Sequence, residues 1–268
     1  MKKLIFASVF MLALGTTLQA GPVIYNLALN DISLFDAVIT GTGAPVTTVK
    51  VNVGQSVYNY VDSGGNPQTV SVFFAGTNNP APADTSGYSS WSGTGSSLSG
   101  AVWNIDPNQS GGEPIPGYKS GIEFRFSAPV NAFGFEIGDW ATCCYSNVRP
   151  ANIQSTYGVP ATGSGLWINF DGGAFTLPAN ALTDTDNPGY AKSFDYTNFI
   201  GAIDSSGTFS TISFFGDGFG EYLVAGGTLR FAAVPIGSVG NDVPEPSTML
   251  LAGLGLALIG FRIHRRRA

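Results

Sequence analysis

Apolar residues recur at every second position through most of this chain, a period that builds strands and leaves no room for long amphipathic helices. In GIEFRF, Ile122, Phe124 and Phe126 fall on one face, and Glu123 and Arg125 on the other. In AFGFEIG, Phe133, Phe135 and Ile137 alternate with Gly134 and Glu136. Residues 127–131, with Pro129 among them, read as a short connection between these two strands. LWINF, then Asp171-Gly172-Gly173, then AFTL, reads as a second hairpin. TTVKVNV and QTVSVFF give earlier strands, TISFF and GTLRFAAV later ones, and no stretch of the middle shows sustained helical periodicity. Many short strands separated by turn residues predict an all-β, jelly-roll-like β-sandwich. Residues 76–101 are rich in Ser, Gly, Pro and Thr and read as a long surface loop, because the strand pattern resumes after them.

Both ends of the chain depart from this pattern. Lys2 and Lys3 precede an apolar run over residues 4–14, and Ala20 supplies a small residue for cleavage, so residues 1–20 read as a secretory signal peptide. At the other end, residues 249–261 are free of charge and are followed by Arg262, Arg265, Arg266 and Arg267. The organisation expected is a signal peptide (1–20), a sandwich ectodomain (21–238) and a terminal segment (239–268). That segment holds an apolar helix over 248–261 and a basic end over 262–268. Thirteen helical residues reach about 20 Å, whereas a bilayer core of about 30 Å calls for about 20 residues. The helix is therefore a short transmembrane segment, and its length needs a reason.

Charge narrows the partners. Residues 21–242 carry six basic and seventeen acidic residues, a net charge of −11. No basic patch remains to meet a phosphate backbone, so nucleic acid is excluded as a partner. Charged residues make up 11% of the chain, well below the usual ~25%, as expected of a weakly charged extracellular surface.

Val243, Pro244, Glu245, Pro246 and Ser247, the Leu/Gly/Ala run after them and the basic end together resemble the PEP-CTERM sorting signal of Gram-negative bacteria. The resemblance implies that an exosortase, a membrane protease-transferase, acts near the Pro-Glu-Pro, and that the bearer is a surface or biofilm protein. Elementary physics agrees with that role. The arginines hold the C-terminus in the cytoplasm, and Pro244 and Pro246 keep the motif extended. A short apolar run suits an address that is later removed. PVNAFGFEIGD and FFGDGFGEYLVAGGTLRF also resemble strand pairs of the sandwich domains that precede such tails; no active site comes with that likeness.

The search for chemistry starts from a gap. The one histidine is His264, inside the arginine cluster. Residues 21–238 therefore cannot build a Ser-His-Asp triad, a Cys-His pair or a His-ligated zinc or iron site. Paired carboxylates remain for a glycosidase, Glu136 with Asp139 or Asp217 with Glu221, although acids at strand ends are ordinarily solvated. Oxygen-rich turns suit calcium, with Asp184, Asp186, Asp217 and Glu221 as ligands and turn capping as the alternative. Asp-Thr-Asp-Asn-Pro fails the EF-hand spacing, since Pro188 takes the third ligand position.

Cys143 and Cys144 are adjacent and are the only cysteines. In an oxidising compartment a bond within the chain would be a strained vicinal ring, since neighbouring Cα atoms lie about 3.8 Å apart. Two free thiols or bonds between chains are the alternatives. Trp91 and Trp167 are the candidates for stacking on sugar rings. Trp167 alternates with the inward Leu166 and Ile168 and is expected on the outer sheet face.

The function expected from these residues is that of an exported, non-catalytic surface or extracellular-matrix protein. It would be matured by signal peptidase and an exosortase, pass through the inner membrane with its domain on the periplasmic side, and associate with exopolysaccharide. A carbohydrate-binding module is the alternative, and a glycan-cleaving enzyme a further one.

Overall fold

The structure, a computed structural model of the 268-residue chain, describes residues 21–62, 64–84, 98–105, 121–141, 146, 148–216 and 223–239. Period-two alternation there becomes two antiparallel six-stranded sheets. The first has the order β1 (Val23–Leu27), β10 (Asn198–Ile203), β7 (Ala132–Asp139), β12 (Leu223–Ala232) and β2 (Thr47–Lys50), with β5 (Val102–Ile105) also paired to β12. The second has the order β3 (Val57–Val61), β4 (Pro67–Phe74), β6 (Gly121–Val130), β11 (Phe209–Gly216), β8 (Ser164–Phe170) and β9 (Thr176–Ala181). The inner faces of the two sheets share one core, the arrangement of a β-sandwich.

The inward residues are those the alternation singles out. Ile122, Phe124 and Phe126 of β6 and Phe133, Phe135 and Ile137 of β7 are all buried. Phe124 lies 4.7 Å from Phe133 and 5.3 Å from Phe135, ring centre to ring centre, and Phe135 meets Phe214 edge-on at 4.9 Å. Offset and edge-to-face pairs of this kind add about 0.5–1.5 kcal/mol each beyond the area they bury.

These two strands do not form a hairpin. β6 pairs with β4 and β11, while β7 pairs with β10 and β12. Most of the expected connection is itself strand, since β6 runs through Pro129 to Val130. The chain then changes sheets at Asn131, which is buried. The Asn131 side-chain amide donates to the Val234 carbonyl at 2.7 Å, and its carbonyl accepts the Val234 N–H at 2.6 Å. A polar side chain at that corner satisfies two backbone groups that the ladders leave over. The hairpin expected at residues 171–173 is present between β8 and β9. Asp171 (φ 49°) and Gly172 (φ 68°) both take the left-handed conformation that a tight primed turn demands.

Among the described residues three short α-helices depart from the all-strand reading: α1 (Ile32–Gly41), α2 (Ala151–Tyr157) and α3 (Pro188–Ser193). At ten, seven and six residues they are too brief to set up a visible period. Each lies against the sandwich. α1 buries Phe35 and Ile39, one turn apart, on Phe199, Ile203 and Ala232 outside the first sheet. α2 sets Ile153 over Trp167 and Phe215 outside the second. Arg149, just before α2, is buried and donates to the carbonyls of Pro160, Thr162 and Gly163 and to Asn180 Oδ1. That fan of bonds ties the α2 segment to β8 and β9.

Asn131→Ala tests the corner. It leaves the buried Val234 N–H and carbonyl without their partner, at about 1–3 kcal/mol for each group. Urea unfolding of the variant should show a stability loss of about 2–6 kcal/mol with an unchanged slope.

Candidate functional site

Glu136, a candidate for a carboxylate pair with a solvated strand-end acid as the ordinary alternative, occupies an outward position of β7. It is 5% exposed. Its Oε2 accepts the Ser99 N–H at 2.9 Å and its Oε1 accepts the Ser99 hydroxyl at 2.8 Å. Arg230, from the neighbouring β12, lies 3.8 Å from Glu136 and 3.4 Å from Asp36 of α1. These are ion-pair separations, longer than hydrogen bonds. Gly227 (φ 64°) completes the site, because any Cβ there would run into the Glu136 carboxylate. The carboxylate thus clamps the segment around Ser99 onto the first sheet and pairs with an arginine. Buried and bonded in this way, it is not the solvated acid that strand ends ordinarily carry. The side chain of its expected partner, Asp139, lies outside the described structure, as do Asp217 and Glu221.

Trp167 does sit on the outer face of its sheet, as the alternation predicts, but it is fully buried. α2 and the start of β9 cover it. The ring stacks parallel to Phe215 at 6.1 Å and meets Tyr157 edge-on at 5.4 Å. Sugar stacking at Trp167 is therefore overturned: its outward face holds a second small core, with Ile153, Phe175 and Leu177 around it. Trp103 and Trp140 are buried as well. Trp91, Cys143 and Cys144 lie outside the described residues.

The Asp184–Asn187 turn has a structural use for two of the four side chains expected to hold calcium, Asp184 and Asp186. Asp186 Oδ2 accepts the N–H groups of Leu182 at 2.7 Å and Thr183 at 3.0 Å, one half of a capping box. Asn187 is wholly buried and caps α3, accepting the N–H groups of Gly189 at 2.9 Å and Tyr190 at 3.3 Å. Its amide donates to the carbonyls of Trp140 and Tyr196. Asp184 accepts the Tyr196 hydroxyl at 2.9 Å. Among the described residues, no group of three or more His, Cys, Asp or Glu side chains is placed to hold a metal ion. Turn capping, the alternative reading, describes what these residues do.

The same turn positions a cluster that the sequence reading passed over. Asn187 and Pro188 start α3 in the usual order of cap and first-turn proline. Gly189 lets the helix lie directly on the strand entry, since a Cβ there would meet the Thr197 carbonyl oxygen. Tyr190 and Phe194 then fall one helical turn apart, with ring centres at 5.6 Å and planes at 83°. Tyr196 packs against the other side of Tyr190 at 4.9 Å. Burial and the adjacent Asp184 carboxylate hold the Tyr196 hydroxyl well above the usual phenol range, so it stays protonated and keeps donating. Phe194 ends the helix at φ 57°, a conformation favouring glycine or asparagine, and it is 72% exposed. Tyr190, with Leu182, Thr183, Asp184 and Thr185, also lines an open depression of about 360 Å³. The legible signal was Asn-Pro followed by aromatics four residues apart.

Among the described residues no helix is long and apolar enough to cross a membrane. Residues 248–261, with Val243, Pro244, Glu245, Pro246 and Ser247 before them and Arg262, Arg265, Arg266 and Arg267 after them, lie outside the described residues, as does the signal-peptide segment 1–20. Comparison with known proteins bears on the C-terminal segment. No curated protein and no solved structure matches the chain. Residues 242–267, however, match the family described as the PEP-CTERM protein-sorting motif. The chain carries a PEP-CTERM protein-sorting motif at its C-terminal end, the mark of an exported protein sorted by an exosortase.

Proposed function

We propose that this chain is a non-catalytic protein of the cell surface or extracellular matrix, delivered through its PEP-CTERM tail and residing among the exopolysaccharide of a biofilm. The sorting motif over residues 242–267 carries the reading. A signal peptide over residues 1–20, removed by signal peptidase, would begin the route. The chain would then pause in the inner membrane through residues 248–261, with Arg262, Arg265, Arg266 and Arg267 on the cytoplasmic side and the sandwich in the periplasm. Exosortase cleavage near Pro246 would free the domain. The short apolar run fits a transient stay better than a lasting anchor.

Two features favour association over catalysis. The only histidine is His264, within the tail, so acyl transfer by a histidine-activated nucleophile is outside the domain's means. Glu136, one of the candidate acids, is buried in a clamp with Ser99 and Arg230. The weak and acidic surface charge, −11 over residues 21–242, suits a domain that remains in a hydrated polymer without adhering to anionic lipid.

Mass spectrometry of the native C-terminus, in surface and inner-membrane fractions separately, tests the route. The surface form is expected to end near Pro246; an intact chain confined to the inner membrane would overturn delivery to the surface. A second measurement addresses catalysis. Incubated with neutral and anionic polysaccharides, the chain is expected to release no reducing ends. Release that disappears in Glu221→Gln would make it an enzyme.

A further inference from the structure

The end of α3 combines an energetic oddity with a surface that suits one kind of ligand. A phenylalanine in the left-handed region is disfavoured against glycine, because its Cβ crowds the backbone there. Exposing the ring to water adds a second unfavourable term. Nothing in the folding of α3 requires either, for glycine would end the helix with the same hydrogen bonds: the Phe194 N–H to Tyr190 and the Asp195 N–H to Gly189. Strain of this kind, held in place by its surroundings, points to a use outside the fold. The surroundings here are rigid. Asn187 is fixed by four hydrogen bonds, Gly189 is packed onto the Thr197 carbonyl, and Lys192 is paired with Asp31.

We infer that the Tyr190–Phe194 corner, with the depression lined by Leu182, Thr183, Asp184 and Thr185, is a binding site for a neutral polysaccharide. A pyranose ring has an apolar C–H face and a belt of hydroxyls. The corner offers an exposed aromatic ring for the first. The exposed Thr183 and Thr185 hydroxyls share one hydrogen bond at 2.8 Å, and the part-exposed Asp184 accepts the Tyr196 hydroxyl through Oδ2; the lone pairs left on these three oxygen-bearing groups face the second. The depression of about 360 Å³ is shallow and open, which leaves room for a polymer to lie across it. Charge selects among polymers. A domain of net charge −11 repels polyanions, and the nearest cation on α3, Lys192, is already paired with Asp31. A protein partner fits poorly, because the exposed apolar groups are few, chiefly Phe194 and Leu182 at 72% and 55%. A stable protein interface needs about 800 Å² from each partner. The site deepens the matrix reading and rests on it for the polymer's being within reach.

The test is affinity electrophoresis of the full chain in mild detergent, through native gels containing dextran, galactomannan, β-glucan or alginate. Retardation is expected in at least one of the three neutral polymers and not in alginate. Phe194→Gly and Tyr190→Ala should each weaken it about tenfold or more, while Val61→Ser, on a distant exposed strand position, should not. Phe194→Gly also guards against misfolding, since glycine suits φ 57° and the thermal midpoint should stay level or rise. No retardation in any neutral polymer would overturn the site, as would retardation unchanged by Phe194→Gly or confined to alginate. Sedimentation equilibrium supplies the remaining arm: a dimer abolished by Phe194→Gly would make the patch a self-association surface and overturn the glycan assignment. Because purified polymers are used, failure here leaves the C-terminal mapping untouched, and failure of that mapping leaves this binding result untouched.

Discussion

Asn131 holds the point at which the chain leaves one sheet and enters the other, and the sandwich is organised around that crossing. The Asn131 side chain bonds both backbone groups of Val234, so the start of β7 and the chain leaving β12 are fastened at one buried corner. On either side of it, β6 and β7 carry their alternate aromatic residues into the same space from opposite walls. Phe124, Phe133, Phe135, Phe214 and Phe231 are thereby brought into contact although they belong to different sheets. Had the two strands formed a hairpin, their apolar faces would have lain side by side and required a second layer from elsewhere. The crossing makes each strand the cover of the other. A few aromatic pairs therefore fix the relation of the two sheets as well as their burial.

With the inner faces closed, the outer faces decide what remains available. Neither is uniformly polar. α1 covers the outward aromatic Phe199 of the first sheet, and α2 covers the outward Trp167 and Phe215 of the second. Between these covers, the polar outward groups are engaged with one another: Glu136 with Ser99 and Arg230, and Glu123 with Arg125 and Ser213. Phe194 stands apart from this economy. It is an aromatic group that no helix covers, on a helix whose own placement is tightly fixed.

The strands were legible because alternation is a local property. Ile122, Phe124 and Phe126, or Phe133, Phe135 and Ile137, declare a face without reference to anything distant. Which sheet each strand joins is not local, and residues 127–131 give no sign that the turn at Asn131 crosses between layers. Trp167 shows the same limit. Its side of the sheet could be read, but not the helix that covers it, since seven residues at 151–157 set up too little period to predict α2. Glu136 was misplaced for a related reason: its partners Ser99 and Arg230 lie 37 and 94 positions away. The Tyr190–Phe194 corner was partly within reach. Asn-Pro marks a helix start, and the spacing of four follows from it, but a left-handed phenylalanine leaves no trace in the sequence.

The sorting motif was read from residues alone, and its independence from the fold has a physical basis. Among the described residues, the sandwich and its core run up to Val239, which packs against the cluster under α1. The matched motif begins at residue 242. The corner at Asn131 binds Val234, so the chain is anchored before it leaves the domain. A cut near Pro246 therefore removes none of the described residues that form the core or the Asn131 corner. An address that is to be discarded must lie outside the cooperative unit; otherwise its removal would destabilise what it delivers. Here Val239, the last of the described residues, is packed, and two positions separate it from the first residue of the motif.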